Sequence, residues 1–135
     1  MKYIAHRRFK KDAIRGPVNI PAMTELECED GIIIYRNGIV CYEDCETSHQ
    51  FFTRNDDGCG MERGRLTQAI MKTLAQTNGR DDKEHQERWD RVWNDPACRP
   101  YKRADDDEYW LWNHDFFNAD IEVLRHIAEL VGAKA

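Results

Sequence analysis

The sequence predicts an α+β fold. A small antiparallel sheet with a central hairpin in the N-terminal half should pack against three to four helices from the C-terminal half. Apolar β-branched runs separated by turn residues concentrate in residues 1–54, which should be mainly strands. From residue 60 to 135, apolar residues recur every three or four positions, as in helices. At 135 residues the chain is long enough for one hydrophobic core, and we expect a single domain.

The hairpin is the clearest element of the N-terminal half. In the segment EDGIIIYRNGIVCYED, two apolar runs flank Asn37-Gly38, and Asn-Gly accepts the positive φ angles of a type I′ turn. The segment PVNIP, between Pro17 and Pro21, should be an extended connection because proline disfavours helix before and within itself. The pattern therefore predicts four strands, near 2–8, 24–28, 31–36 and 39–43.

The C-terminal half has a helical period. Leu66, Ile70 and Leu74 form one apolar face, and Asn118 has the side chain of an N-cap before the last apolar series. The acidic run at 105–108 is typical of a first helical turn, where negative charge meets the positive end of the helix dipole. We predict helices at about 61–77 and 82–94, a short one starting in the acidic run, and a final one from Asn118.

The N-terminal segment is basic although the whole chain is acidic. Residues 1–16 carry six Lys and Arg residues against one Asp, whereas the net charge of the chain is −5. Alternation along a strand would place Arg7, Phe9 and Lys11 on one face and Arg8 and Lys10 on the other. Such a strip can contact an acidic protein surface or phosphates, or it can pair with the protein's own acidic surface. The predicted partner-binding residues are Arg7, Arg8, Phe9, Lys10, Lys11 and Arg15.

The segment RNDDGCGMERGR, residues 54–65, combines glycines and carboxylates before a predicted helix. Its spacing does not match the phosphate loop G-x-x-x-x-G-K-[ST], the calcium loop of EF-hands or the dinucleotide fingerprint. The main interpretation is a turn that leads into a helix. The alternative is an anion site at Gly58 and Gly60, where amide groups at a helix start point outward.

Cys41, Cys45, His49 and Cys59 provide four side chains of the kinds that bind zinc. Their spacing is not that of a common zinc motif, so convergence depends on the fold. We expect no cofactor, and zinc at these four residues is the alternative. A metal-dependent hydrolase or nuclease, or a cysteine enzyme with a histidine base, is the corresponding functional alternative.

The five cysteines are an odd number in a sequence whose first residues lack an apolar stretch long enough for a secretory signal. We therefore expect reduced thiols and a cytoplasmic location. No apolar run approaches the length of a membrane span, which predicts no membrane association.

Aromatic residues concentrate between 89 and 117, with all four tryptophans of the chain in this range. The default interpretation is that they form a core between the last helices and the sheet. The alternative is that one or two rings form an exposed platform for a peptide or for nucleic-acid bases.

Four stretches, MKYIAHRRFKKDAI, GPVNIPA, RNDDGCGMERGRLTQAI and YWLWNHDFFNADI, resemble short proteins encoded by bacterial prophages and other mobile elements. The resemblance implies a bacterial or phage setting and an accessory or host-modulating role, such as counter-defence inhibition. Our leading hypothesis is a non-enzymatic interaction protein that binds a protein or a protein–nucleic-acid complex. Nucleic-acid binding through the basic residues of the N-terminal segment is a further alternative.

Overall fold

The computed structural model describes residues 1–13, 16–75, 83–102 and 112–133. Within these ranges the α+β prediction is confirmed, because strands dominate the N-terminal half and helices the C-terminal half. The chain divides into two compact units, 1–64 and 65–135, and each is described by itself. The expectation of a single domain stays a prediction.

The strands of the first unit are β1 (Lys2–Ala5), β2 (Phe9–Ala13), β3 (Gly16–Ile20), β4 (Glu25–Glu29), β5 (Ile32–Tyr35), β6 (Gly38–Tyr42) and β7 (Phe52–Arg54). Four of these strands, β1, β4, β5 and β6, match predicted strands, whereas β2, β3 and β7 were not predicted. Five of the strands form one antiparallel sheet in the order β6-β5-β4-β1-β7, and β2 pairs with β3 in a separate two-stranded hairpin. The segment predicted as an extended connection is therefore a paired strand, β3.

The predicted hairpin is present, but it lies at the edge of the five-stranded sheet rather than at its centre, and its turn lies one residue earlier than predicted. Arg36 and Asn37 have φ angles of 50° and 64°, the positive values that a type I′ turn needs at both central positions. Gly38 instead begins β6 and pairs with Tyr35. The cross-strand pairing of apolar residues sets this register, and it outweighs the local preference of Asn-Gly for the two central positions.

A β-bulge interrupts the pairing of β5 and β6. Ile34 pairs with Ile39 and Ile33 pairs with Cys41, so Val40 is an extra residue on β6. Val40 is buried and Cys41 packs against the same core. An unbroken strand would have sent these two neighbours to opposite faces, and the bulge therefore reverses the alternation after Val40.

The first unit has its own apolar core on one face of the sheet. Its buried residues come from the sheet, from the β2–β3 hairpin and from α1 (Glu46–Phe51), a helix that the sequence pattern did not predict. They are Tyr3, Ala5, Phe9, Ile20, Leu26, Cys28, Ile33, Val40, Phe51 and Phe52.

The start of α2 (Gly60–Ala75) lies against β1 and the residue after it. A Cβ atom on Gly60 would come closer than 3.0 Å to Ile4, and one on Gly64 closer than 3.0 Å to the Cβ, Cγ and Cδ2 atoms of His6. Glycine is therefore needed at both positions for close packing of the helix backbone. His6 is buried below this contact, and its Nε2 atom has no hydrogen-bond partner within the described ranges.

The helices of the second unit follow the predicted order. The first two predicted helices match α2 and α3 within a few residues, whereas the predicted end of α2 at Asn78-Gly79 and the acidic run at 105–108 lie outside the described residues. The remaining helices are α3 (Lys83–Asn94), a 3₁₀ helix (Pro96–Tyr101), α4 (His114–Phe117) and α5 (Ile121–Val131).

The predicted cap of the last helix is wrong. Asn118 ends α4, where its N–H bonds to the carbonyl of Asp115, and Asp120 is the N-cap of α5. The short helix α4 begins because the Asn113 side chain accepts a hydrogen bond from Phe116 N at 3.1 Å. The sequence pattern does not predict α4, and the predicted cap of α5, Asn118, is instead the residue that follows the end of α4.

The second unit encloses a separate apolar core. Trp89 and Trp112 are half-buried and pack against it, and Trp112 stacks on Phe116 with ring centroids 3.8 Å apart. These two tryptophans pack against an apolar core, but its described residues all come from the second unit and not from the sheet, so the predicted core between the helices and the sheet is not what they form. Trp110 lies outside the described residues. The buried core residues are Leu66, Ile70, Leu74, Val92, Cys98, Phe116, Phe117, Ala119, Leu124, Ile127, Ala128 and Val131.

Candidate protein-binding surface

The side chains of Arg7, Arg8 and Lys10 are exposed at the start of the β2–β3 hairpin. We call these three residues the basic strip. They come from the N-terminal segment that the sequence singles out for partner binding. Of the other residues predicted there, Arg15 lies outside the described residues, and so does the side chain of Lys11, although its backbone belongs to β2.

Phe9 does not contribute to the exposed surface. It is only 2% exposed, and its ring lies 5.0 Å from Phe51 in an edge-to-face arrangement and 5.4 Å from Phe52, measured between centroids. The predicted role of Phe9 in partner contact therefore does not fit its position. Burial of an aromatic ring fixes the local backbone instead, and this holds the exposed neighbours Arg8 and Lys10 in place.

The two arginines of the basic strip have defined positions. The Arg7 guanidinium lies over the ring of Phe51, with Cζ 4.2 Å from the centroid, and Arg8 donates from Nε to Asn19 Oδ1 at 3.0 Å. A cation over an aromatic ring keeps its charge and most of its donors available, because the ring contacts only the flat face of the guanidinium. Lys10 pairs across the hairpin with Asn19.

Side chains of the glycine-rich segment 54–65 form hydrogen bonds with other groups of the same segment. Arg63 is 2% exposed, and its guanidinium donates to both carboxylate oxygens of Asp57 and, from Nη1, to the carbonyl of Arg54 at 2.6 Å. These bonds favour the charged carboxylate, so hydrogen bonding to Arg63 holds the pKa of Asp57 below its usual value. The Asp57 carboxylate is therefore paired with a cation of the same segment, Arg63.

The amide groups of the predicted anion site are also occupied. Gly58 N donates to the carbonyl of Asn55 at 3.1 Å, and Gly60 N donates to Asn55 Oδ1 at 2.9 Å. Gly58 has a φ of 78°, a conformation that favours glycine, and it turns the chain before the helix. The geometry supports the interpretation of a turn leading into α2 over that of an anion site at Gly58 and Gly60.

The Arg63–Asp57 pair gives an asymmetric prediction for stability. Asp57→Ala should lower the free energy of unfolding by about 2 kcal/mol, because it removes the carboxylate that pairs with a buried guanidinium. Arg63→Met should cost only about 1 kcal/mol, because the Asp57 side chain is 44% exposed and water can solvate it. Urea unfolding of both variants measures the difference. Equal losses, or a larger loss for Arg63→Met, would show that the pair is not organised in this way.

The four proposed zinc ligands do not converge. No three of their donor atoms lie within 4.8 Å of one another. Cys45 caps α1, because its Sγ accepts from Ser48 N at 3.4 Å, whereas the Cys59 Sγ lies 3.8 Å from the carbonyl of Asp57. His49 lies 3.8 Å from a carboxylate oxygen of Asp44. Cys45 lies close enough to Cys41 to help raise the pKa of the Cys41 thiol.

Three cysteines have thiols that resist ionisation. Burial, together with the neighbouring Cys45, raises the pKa of Cys41 to about 12, and burial raises the pKa of Cys28 and of Cys98 to about 11. Since the thiolate is the nucleophile and the metal-binding form, these three thiols are poorly suited to either role near neutral pH.

Sequence reasoning missed three contacts. They are the ion pair of Arg63 with Asp57, the packing of Gly64 on His6, and the position of Arg7 over Phe51. The ion pair joins residues six positions apart, and a glycine-rich segment followed by an arginine is only a weak indication of it in the sequence. The other two contacts join residues 58 and 44 positions apart, and no local sequence pattern indicates them.

No helix in the described ranges has the length and apolar character needed to cross a membrane. No protein-family model matches the sequence, and no curated protein and no solved structure matches it either.

Proposed function

We propose that this chain is a non-enzymatic interaction protein of a phage or mobile element, which acts in the bacterial cytoplasm by binding an acidic surface of a partner protein. The observation that carries the proposal is the exposure of Arg7, Arg8 and Lys10 beside a buried anchor, Phe9. Fixed, exposed cations lose little conformational freedom on binding, so they suit recognition of carboxylates on a protein.

The charge of the chain favours a protein partner over nucleic acid. The net charge is −5, and a polyphosphate backbone repels such a chain beyond the immediate contact. An acidic patch on a protein is local, and three basic residues can match it. A counter-defence or other host-modulating role fits a small protein that works by occupying a surface.

The test compares two charge-matched variants. One replaces Arg7, Arg8 and Lys10 with glutamine, and the control replaces Arg65, Lys72 and Lys83, which are exposed on α2 and α3, with glutamine. Affinity capture from nuclease-treated bacterial lysate, quantified by mass spectrometry, should recover a protein with wild type and control, and at least about tenfold less of it with the strip variant.

Circular dichroism and thermal unfolding of both variants show that the fold is retained. Equal recovery by the strip variant and the control would exclude the basic strip as the partner-binding surface. If a partner is captured from untreated lysate but not from nuclease-treated lysate, and its affinity falls steeply with salt, the alternative of nucleic-acid binding is favoured instead.

A further inference from the structure

The face of the five-stranded sheet opposite its core carries an acidic row beside an apolar strip. Glu25, Glu27 and Glu29 alternate with buried residues along β4 and are exposed. On β5 and β6 the same face presents Ile32 and Ile34, both half-buried, and two exposed residues, Ile39 and Tyr42. We call this surface the outer face.

The pairing of the strands aligns these residues in two rows. Glu27 pairs with Ile34, which pairs with Ile39, and Glu29 pairs with Ile32, which pairs with Tyr42. Paired residues in an antiparallel sheet point to the same face. Each row therefore runs from a carboxylate on β4 through an isoleucine on β5 to an apolar residue on the edge strand β6.

The bulge at Val40 is what completes the apolar strip. Without the extra residue, Tyr42 would alternate onto the same face as Val40, which is the core face. With it, Tyr42 joins Ile39 on the outer face and is 66% exposed, while Ile39 is 39% exposed. Bulges are over-represented at sheet edges, where they re-aim a side chain or end the strand pairing. Exposed neighbouring apolar side chains at such a site are typical of an interface.

We propose that the outer face binds an amphipathic helix of a partner protein, with an apolar stripe bordered on one side by lysine or arginine. Adjacent strands are about 4.8 Å apart, so β4 and β6 are separated by roughly 10 Å, which a helix of about 10–12 Å diameter covers. The apolar stripe lies on β5 and β6, and the basic border lies over the glutamates of β4.

Charge selects this occupant over two others. A second copy of this chain would bring another row of glutamates to the same small surface. An extended strand added to β6 would lie about three strand spacings from β4, beyond the reach of its lysine side chains to Glu27 and Glu29. Lys2 on β1 pairs with Glu27 and offsets one of the three carboxylates. Two carboxylates remain, so the row stays acidic.

The probe for this surface is a synthetic helical peptide of about 18 residues with a leucine stripe and lysines along one border. Addition to ¹⁵N-labelled protein should shift amide resonances mainly in β4, β5 and β6. Fluorescence anisotropy should show binding at least about tenfold weaker for Ile39→Ser/Tyr42→Ser, and about tenfold weaker at low salt for Glu27→Gln/Glu29→Gln.

Two controls make the test specific. Glu84→Gln/Glu87→Gln removes two exposed carboxylates from α3 and should leave peptide affinity unchanged. A peptide with the same leucines and a glutamate border should bind at least about tenfold more weakly than the lysine peptide. Equal binding of the two peptides, amide shifts outside the sheet, or a dimer that forms through Ile39 and Tyr42 in sedimentation measurements would overturn the proposal.

The outer face uses none of the residues of the basic strip, and the two surfaces have opposite charge. The glutamine variant of Arg7, Arg8 and Lys10 should therefore bind the lysine peptide as wild type does. Failure of one proposal leaves the other intact.

Discussion

Gly64→Ala is expected to lower the free energy of unfolding by about 3 kcal/mol, although alanine is the better helix former by about 1 kcal/mol. The added methyl group would come closer than 3.0 Å to three atoms of His6, including its Cβ. The Cβ atom is fixed by the backbone of a buried residue and cannot rotate away. Urea unfolding followed by far-ultraviolet circular dichroism measures the loss.

Two further variants identify the cause of that loss. Gly132→Ala places a methyl group in open space at a φ of 73° and should cost only about 1 kcal/mol. In a His6→Gly background, which lacks the clashing atoms, Gly64→Ala should cost at least about 1 kcal/mol less than in wild type. If the cost is the same in both backgrounds, contact with His6 is not its source.

Acidification should destabilise the first unit through His6. Burial, followed by the nearby Arg7, lowers the pKa of His6 from 6.5 to about 4. The unfolded chain therefore binds a proton on His6 between these two values and the folded chain does not. The stabilisation is present above pH 6.5 and is lost as the pH falls towards about 4, by an amount on the order of 3 kcal/mol.

Unfolding free energies of wild type and His6→Asn, measured across this pH range, isolate the contribution of His6. Asparagine does not titrate and keeps a donor for the backbone of His49, to which the imidazole is hydrogen-bonded. The difference between the two proteins should shrink as pH falls. A parallel pH dependence would contradict the assignment, and so would imidazole nitrogen resonances that titrate near 6.5 in the folded protein.

The sequence predicts those parts of the fold whose causes are local. The hairpin of β5 and β6, strand β4 and helices α2, α3 and α5 each repeat an apolar pattern at one period, and they are found close to their predicted positions. The turn at Arg36-Asn37 and the bulge at Val40 were not predicted, because long-range pairing of apolar side chains sets them. Helices α1 and α4 are too short to establish a period.

The candidate surface was predicted only in part. A concentration of charge in the first 16 residues marks the basic strip, and alternation along a strand separates Arg8 and Lys10 from Phe9, as the structure has them. The burial of Phe9 depends on α1 and β7, which supply Phe51 and Phe52 from more than 40 residues away. Ligand convergence at the cysteines likewise depends on tertiary structure, and spacing alone could not decide it.

The two glycines of α2 that face β1 have a consequence for how the loop before that helix can move. No side chain separates the α2 backbone from Ile4 or His6. The first turn of α2 therefore cannot slide or tilt towards β1 without a steric clash. A lid that opens and closes over a ligand needs room for such movement at its base. The first turn of α2 is therefore expected to be a rigid support for the sheet, and the hydrogen-bonded amide protons of Gly60 and Arg63 should exchange slowly with solvent.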